Sequence, residues 1–188
     1  MPRETKRVQM NQAKLFLGDT GAFDDLTNLT QVIGSAEQLG LSEDGLTASF
    51  EIEKASIPFA GSLGRDIKNN EFIVSWKGSV EGTVIAFTDA LMEASLFTKA
   101  QTTTELQQFK PAEAKLIEAG MYKDLLMLGT TVEGKYIVIV LKDTYNENFT
   151  FETKDKDTCK SKVKFTTHYA DIDNNEPPFR IYMPKTTA

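Results

Sequence analysis

Apolar and polar residues alternate with a period of two along much of this chain. The alternation is clearest over 46–53, 72–77, 163–169 and 179–183. Successive side chains of a β-strand point to opposite faces, so each segment predicts a strand with one buried and one solvent-exposed face. The segment 136–141 is continuously apolar, which predicts a strand that is covered on both faces.

Turn residues separate these strands. A short apolar strand over 14–18 runs into Gly-Asp-Thr-Gly, and Glu133-Gly134 precedes the apolar strand as a hairpin-type turn. Pro184 ends the last strand. The segment 60–70 contains two glycines and an Asn-Asn pair between two strands, which is typical of a long loop.

One helix is clear and a second is weaker. Thr88 is suited to an N-cap and Asp89 to the first turn, and apolar residues follow at helical spacing up to Phe97. Pro111 and Gly120 are suited to the start and the stop of another helix over 111–119.

Many short strands with one clear helix indicate a mostly β (α+β) fold, a β-sandwich or open barrel flanked by that helix. The length of 188 residues suits one domain. We expect residues 1–12 to form a flexible N-terminal arm and residues 13–185 to form a single β-rich domain.

The charge balance argues against a nucleic-acid-binding face. Lys and Arg total 21 against 27 Asp and Glu, a net charge of -6. Broad nucleic-acid affinity comes mainly from neutralising phosphates, so an acidic chain could enclose DNA without holding it. No apolar run has the length of a membrane span or follows the pattern of a signal peptide, so we expect no membrane anchor and synthesis in the cytoplasm.

Catalytic and metal chemistry have few candidate residues. The chain has one histidine, His168, and one cysteine, Cys159, whereas a zinc site takes several such ligands. No Gly-x-Ser-x-Gly nucleophile turn occurs. We therefore expect no catalytic residues, no metal, no cofactor and no enzyme activity.

Asp19-Thr20-Gly21-Ala22 is the one motif with a catalytic interpretation. Aspartic proteases carry Asp-Thr-Gly after an apolar strand, and two such aspartates share a proton. Here Gly18 precedes Asp19 where an apolar residue is expected, and no second Asp-Thr-Gly exists, so a homodimer would be required. The alternative is a plain turn, since Gly, Asp and Thr are common turn residues.

Lys160, Lys162 and Lys164 share one face of a predicted strand. They could contact phosphate or an acidic neighbouring subunit. Alternatively, they could protect an edge strand from unwanted pairing, which requires no partner.

The order of these features resembles that of the tail tube proteins of long-tailed phages and the tubes of related contractile injection systems. The resemblance runs from about residue 14 to about residue 185. It rests on Ile-Pro-Phe-Ala-Gly-Ser-Leu-Gly-Arg-Asp-Ile-Lys at 57–68, Glu-Phe-Ile-Val-Ser-Trp at 71–76, the helix after Asp89, and the final Phe-Arg-Ile-Tyr-Met-Pro at 179–184.

The resemblance implies a structural virion protein of the phage tail. Such proteins form rings, usually hexameric, whose inner strands join into one β-barrel, and the rings stack into a tube through which DNA passes on ejection. The partners would be other copies of the chain and other tail proteins, in a virion made in the bacterial host cytoplasm.

The resemblance also assigns contacts. The long loop of the family reaches the adjacent ring, and here its contact residues would be Pro58, Phe59, Leu63, Arg65 and Ile67. Lysines in the lumen would retard DNA, so we expect Lys160, Lys162 and Lys164 to face outward or toward a neighbouring subunit.

Two alternatives remain. One is another β-sandwich virion protein, such as a tail-terminal binding module that stays monomeric or forms a single ring. The remote alternative is an aspartic-type protease that uses Asp19.

Overall fold

The structure is a computed structural model that describes residues 10–57, 71–85, 88–113, 115–153, 159–171, 173 and 176–184.

Strands make up most of the described chain, so the expected mostly β fold with one clear helix is confirmed. The strands are β1 Met10–Asp19, β2 Glu37–Ser56, β3 Glu71–Ile85, β4 Phe97–Thr102, β5 Gln107–Pro111, β6 Lys123–Thr131, β7 Tyr136–Asn146, β8 Thr150–Glu152, β9 Lys160–Thr166 and β10 Phe179–Tyr182. The helices are α1 Leu29–Ser35 and α2 Asp89–Ala94, with a 3-10 turn at Ala119–Met121.

Eight strands form one antiparallel sheet in the order β10-β7-β6-β1-β2-β3-β9-β8. The sheet also closes on itself, because β7 pairs with β9 at Tyr145↔Thr166 and Asn146↔Phe165. The result is a flattened barrel with two layers. We call β2, β3, β9 and β8 the wet layer, and β1, β6, β7 and β10 the covered layer.

The main core lies between the two layers. Val80, Val163 and Phe165 of the wet layer pack with Leu125 and Leu141 of the covered layer, and each is buried. Helix α2 contributes Leu91 and Ala94 to the same core. Alternating strand residues thus build one continuous apolar interior.

The covered layer is apolar on its outer face as well. Leu126, Val138 and Val140 form a second buried cluster there, against which Leu29 and Val32 of α1 pack. This explains the continuous apolar run of β7, since the core covers one face of the strand and α1 covers the other. The prediction of a strand covered on both faces is confirmed.

Helix α2 begins as expected, because the Thr88 side chain accepts a hydrogen bond from the Leu91 amide at 3.2 Å. It ends at Ala94, earlier than Phe97, since Leu96 adopts a positive φ of 61° and turns the chain into β4.

The second predicted helix, over 111–119, is wrong. Pro111 is the last residue of β5, paired with Phe97, and a 3-10 turn begins only at Ala119. The segment has no apolar stripe to bury: Leu116 is 90% exposed. Proline and glycine spacing alone does not make a helix where no surface covers one face of it.

Candidate assembly surface

Strands β2 and β3 extend beyond the barrel as a two-stranded ribbon. An aromatic cluster marks its base: Phe179 lies 4.6 Å from Phe50 and 5.7 Å from Trp76, between ring centroids. Past this base, the described partners of residues 52–56 are residues 71–76, from Ile52↔Trp76 to Ser56↔Glu71. We call these two segments the distal ribbon, and five residues of strand extend it by roughly 17 Å.

The distal ribbon carries large apolar side chains that are half exposed. Ile52 is 44% exposed, and Phe72, Ile73 and Val74 are each 52% exposed. The register shifts between Glu53 and Lys54, which leaves Val74 without a partner residue and makes it a β-bulge. Bulges twist a strand and redirect side chains, here within an apolar surface that the described residues leave half exposed.

Strand β2 also has a long open edge. Its pairing with β1 ends at Lys14↔Leu41, whereas its pairing with β3 continues to Ser56. Among the described residues, no strand pairs with the other side of β2 beyond this point. Native sheets pair, cover or protect such edges, because an open edge is a template for another strand.

The predicted ring-to-ring contact residues fall between β2 and β3 in the sequence. Strand β2 ends at Ser56 and β3 begins at Glu71, and these two residues pair at the end of the distal ribbon. Pro58, Phe59, Leu63, Arg65 and Ile67 lie outside the described residues. Their role in contacts stays a prediction.

The three lysines lie on β9, on the outer side of the wet layer. Ser161, Val163 and Phe165 point into the core, so Lys160, Lys162 and Lys164 point away from it. Strand β9 pairs with β3 on one side and with β8 at Lys160–Lys162 on the other, so the lysines do not lie on the outermost strand. Lys162 forms an ion pair with Glu152 at 3.1 Å.

Asp19-Thr20-Gly21-Ala22 is a turn, as its residue types suggest. The Ala22 amide donates to the Asp19 carbonyl at 2.9 Å, and Gly21 has a φ of 87°. Lys123 Nζ lies 2.6 Å from Asp19 Oδ1, and its hydrogen bond and positive charge hold the pKa of this carboxyl below its usual value. An ionised carboxylate paired with lysine is the opposite of a carboxyl that shares a proton with a second aspartate.

Asp19→Asn is expected to change stability only slightly and to leave peptide hydrolysis at the background level. Because its pKa is lowered in the folded state, Asp19 stabilises the fold at pH values above the pKa that it has in the unfolded chain. This contribution is lost as the pH falls through the folded-state pKa. Since the Asp19 side chain is 90% exposed, the effect at neutral pH is at most about 0.5 kcal/mol. Urea unfolding and a peptide-cleavage assay check these two expectations. If the unsubstituted chain cleaves peptides and Asp19→Asn does not, the protease alternative is supported.

A charged cleft of about 130 Å³ lies beside this turn. Asp124 lies at the floor of this cleft and is 1% exposed. Its carboxylate accepts hydrogen bonds from the backbone amides of Gly21 at 2.8 Å and Asp143 at 3.0 Å. Burial raises the pKa of Asp124, against the effect of these two hydrogen bonds. Asp143 has a positive φ of 48° at a register shift of β7, so Asp124 holds a turn and an irregular strand together.

His168 lies among aromatic side chains, and Cys159 is a free, partly buried cysteine. The His168 ring stacks on Tyr145, with centroids 4.8 Å apart, and its Nδ1 lies 3.0 Å from the Asp143 carbonyl oxygen. Within the described ranges, no three His, Cys, Asp or Glu side chains are grouped closely enough to hold a metal ion, and no helix is long and apolar enough to cross a membrane.

Strands β4 and β5 form a separate hairpin on the α2 side of the barrel. Lys99 ties it to α2 through ion pairs with Asp89 at 3.2 Å and Glu93 at 3.0 Å. Leu106 at its turn is 73% exposed. The sequence predicted helices over 89–97 and 111–119 and no element over 98–110, so the hairpin was missed.

No protein-family model and no curated protein matches the chain. Three structures from particle assemblies are similar in part. The virion of a native gene transfer agent particle gives a TM-score of 0.40 at 8% identity, over 83% of this chain and 92% of that one. The baseplate of the anti-feeding prophage gives 0.43 at 8% identity, over 95% and 97%. The tube-terminating cap of the anti-feeding prophage gives 0.44 at 11% identity, over 90% and 88%. Scores and identities of this size do not establish a common fold, and no assignment follows from them.

Proposed function

We propose that this chain is a structural protein of a phage-like tail or injection particle, and that it self-assembles into rings, hexameric as in the family it resembles, which stack into a tail tube that conducts DNA. The single observation that carries the proposal is the distal ribbon, with its exposed apolar side chains on an extension of the sheet. The resemblance of the residue pattern supplies the kind of assembly.

The distal ribbon is poorly stabilised within one copy of the chain. A two-stranded ribbon alone is marginal in water, and this one exposes about half of Phe72, Ile73 and Val74. Such a surface is stabilised when another molecule covers it. A chain that builds a repeated assembly supplies this cover with a second copy of itself.

The free energy gained by covering the distal ribbon indicates how assembly proceeds. Covering the exposed half of one large apolar side chain contributes about 1 kcal/mol. Four such side chains contribute roughly 4 kcal/mol, which corresponds to a Kd on the order of 1 mM. One ribbon contact is therefore too weak to hold two copies of the chain together. A ring presents several ribbon contacts at once and so binds another ring far more tightly. We expect assembly to be cooperative and strongly concentration-dependent.

The rest of the proposed role follows from the same assembly. The chain would act without a cofactor or an active site, beside other tail proteins of a virion made in the host cytoplasm. DNA would pass through the tube without specific binding, consistent with the net charge of -6.

The assembly state of the purified chain tests the proposal. Light scattering across a concentration series, with negative-stain microscopy, should show rings or tubes that appear above a threshold concentration. A single ring that never stacks would favour the tail-terminal module, and a monomer at every concentration, also in the presence of assembled tail particles, would contradict self-assembly.

Leu63→Asp is expected to block the stacking of rings and to leave the fold intact. In the proposed tube this loop is buried against the adjacent ring, so the substitution buries a charge there. An unpaired buried charge costs several kcal/mol. Asn69→Asp is the matched control, since it adds the same charge to the same loop without removing an apolar side chain. Tubes of normal length from Leu63→Asp, seen by negative-stain microscopy, would refute the contact.

A further inference from the structure

Strand β3 runs on past the end of its neighbour β9. The pairing of the two strands stops at Ser79↔Thr166, because β9 ends at Thr166, whereas β3 extends back to Glu71. Among the described residues, no strand pairs with 71–78 on this side. We call this side of 71–78 the β3 edge. The backbone groups of such an edge are a template for a strand of another molecule.

Two side-chain hydroxyl groups accept the first amides of the β3 edge. The Thr167 amide still donates to the Gly78 carbonyl at 2.9 Å, but the Gly78 amide donates to Thr167 Oγ1, also at 2.9 Å. Further along, the Trp76 amide donates to the Tyr169 hydroxyl at 2.7 Å. Alternate residues of an antiparallel strand direct their amides to the same side, so Gly78 and Trp76 carry the first two donors of this edge. Hydroxyl oxygens thus stand where a further strand would supply carbonyl oxygens.

Packing holds both hydroxyl groups in place. Thr167 is 6% exposed, and a Cβ atom at position 78 would lie 3.3 Å from its Cγ2, so glycine leaves the room that this bond needs. The Trp76 ring packs edge-on against Phe179, with centroids 5.7 Å apart, which fixes the strand at the second bond. The β-bulge at Val74 follows directly, and a bulge twists an edge away from a straight partner.

The residues next to these bonds form a segment that aggregates easily when it is exposed. Residues 72–76 are Phe-Ile-Val-Ser-Trp, with no charge and no proline. Short uncharged segments of high β-propensity stack into continuous β-sheets when their edge is open. Phe72, Ile73 and Val74 are each 52% exposed, so burial of the side chains does not prevent this stacking. Satisfying the backbone donors of the edge does.

We propose that Tyr169 is a specificity-determining residue, whose hydroxyl, together with that of Thr167, blocks the β3 edge against strands of other copies. The block leaves the apolar side chains of the distal ribbon available for contact and removes the backbone of the same strand from it. Contact through particular side chains ends when they are covered, whereas pairing at an open edge repeats without limit. The inference concerns the single chain in solution and does not depend on the formation of rings.

Tyr169→Phe tests the block, because it removes one oxygen atom and keeps the ring. The Trp76 amide loses its acceptor, so its hydrogen exchange should become about tenfold faster, the factor that one hydrogen bond of ordinary net strength contributes. The variant should also form aggregates that bind thioflavin T, at concentrations below those at which the unsubstituted chain assembles. Thr167→Val removes the second hydroxyl with little change of shape and should act in the same direction.

Two controls separate an open edge from a loss of stability. Thr144→Val removes a buried hydroxyl that donates to the Lys123 carbonyl at 2.8 Å, away from the β3 edge. It is the matched control for the lost hydrogen bond, and urea unfolding measures the stability of each variant. Tyr136→Phe removes a tyrosine hydroxyl from a residue that is 54% exposed on β7. Neither control should form aggregates that bind thioflavin T.

Aggregation of Tyr169→Phe, with both controls remaining in solution, supports the block. Equal aggregation of Tyr169→Phe and Thr144→Val at equal loss of stability overturns it, because unfolded chains and not the edge are then the source. A Tyr169→Phe chain that stays in solution although its Trp76 amide exchanges faster also overturns it. Unchanged exchange of the Trp76 amide has the same consequence, since the hydroxyl then does not protect the edge.

Discussion

Ile73→Asp is expected to abolish assembly at concentrations where the unsubstituted chain forms rings, and to leave the domain folded. Ile73 is 52% exposed in the single chain and belongs to neither buried cluster. The substitution therefore removes little from the stability of the monomer. In the assembly it would bury a carboxylate among apolar side chains, which costs several kcal/mol, as much as the roughly 4 kcal/mol that the whole ribbon contributes.

The measurement is sedimentation or light scattering over a concentration series, with circular dichroism to verify the fold. Leu106→Asp is the matched control, because Leu106 is an apolar side chain 73% exposed on the β4–β5 hairpin, away from the ribbon. Rings from Ile73→Asp at the normal threshold would remove the distal ribbon from the interface. Equal loss of assembly in both variants would show that any added charge acts through net repulsion.

Asn146→Leu is expected to destabilise the domain by about 3 kcal/mol, since each buried polar group left without a partner costs about 1–3 kcal/mol. Asn146 is 4% exposed at the point where β7 meets β9. Its amide donates to Ser95 Oγ at 2.9 Å, and its Oδ1 accepts from the Lys164 amide at 2.8 Å. The Asn146 side chain thus links the end of α2 to the two strands that close the barrel. Leucine can neither donate to Ser95 Oγ nor accept from the Lys164 amide.

Urea unfolding followed by tryptophan fluorescence measures this loss, with Trp76 as the single tryptophan. The control is Asn148→Ala, two residues along the chain at an exposed position. It should change the free energy of unfolding by less than about 0.5 kcal/mol. A loss for Asn146→Leu as small as that of the control would show that the barrel closes without this hydrogen-bond bridge.

The helices show where reasoning from sequence works and where it does not. Helix α2 has a cap, a first-turn acid and an apolar face, and each signal is local, so its start was predicted correctly. Helix α1 has usable signals too, since the Asn28 side chain accepts from the Gln31 amide and Leu29, Val32 and Ile33 share one face. It was missed because seven residues form a helix only when a sheet covers the apolar face.

Strand β2 shows a different limit. Its alternation was recognised only over 46–53, whereas the strand runs from Glu37 to Ser56. Gly40 and Gly45 have positive φ values of 91° and 88° and interrupt the pattern, and a register shift separates Glu43 from Leu46. Pairing with β1 up to Leu41 and with β3 from Leu41 onward makes this irregular segment one strand, and neither pairing is visible in local residue order.

The local residue order determined the strands with clear alternation, the Gly134 turn, the start of α2 and the mostly β class, because periodicity and turn chemistry act over a few neighbouring residues. The tertiary structure decided the closure of β7 onto β9, the polar face opposite the apolar one, and the ribbon that leaves the barrel. These features depend on contacts between residues far apart in the chain, such as Asn146 with Phe165 and Lys164 with Glu81. The candidate surface is therefore a property of the assembled sheet, since each of its residues is an ordinary strand residue until its neighbours across the sheet are known.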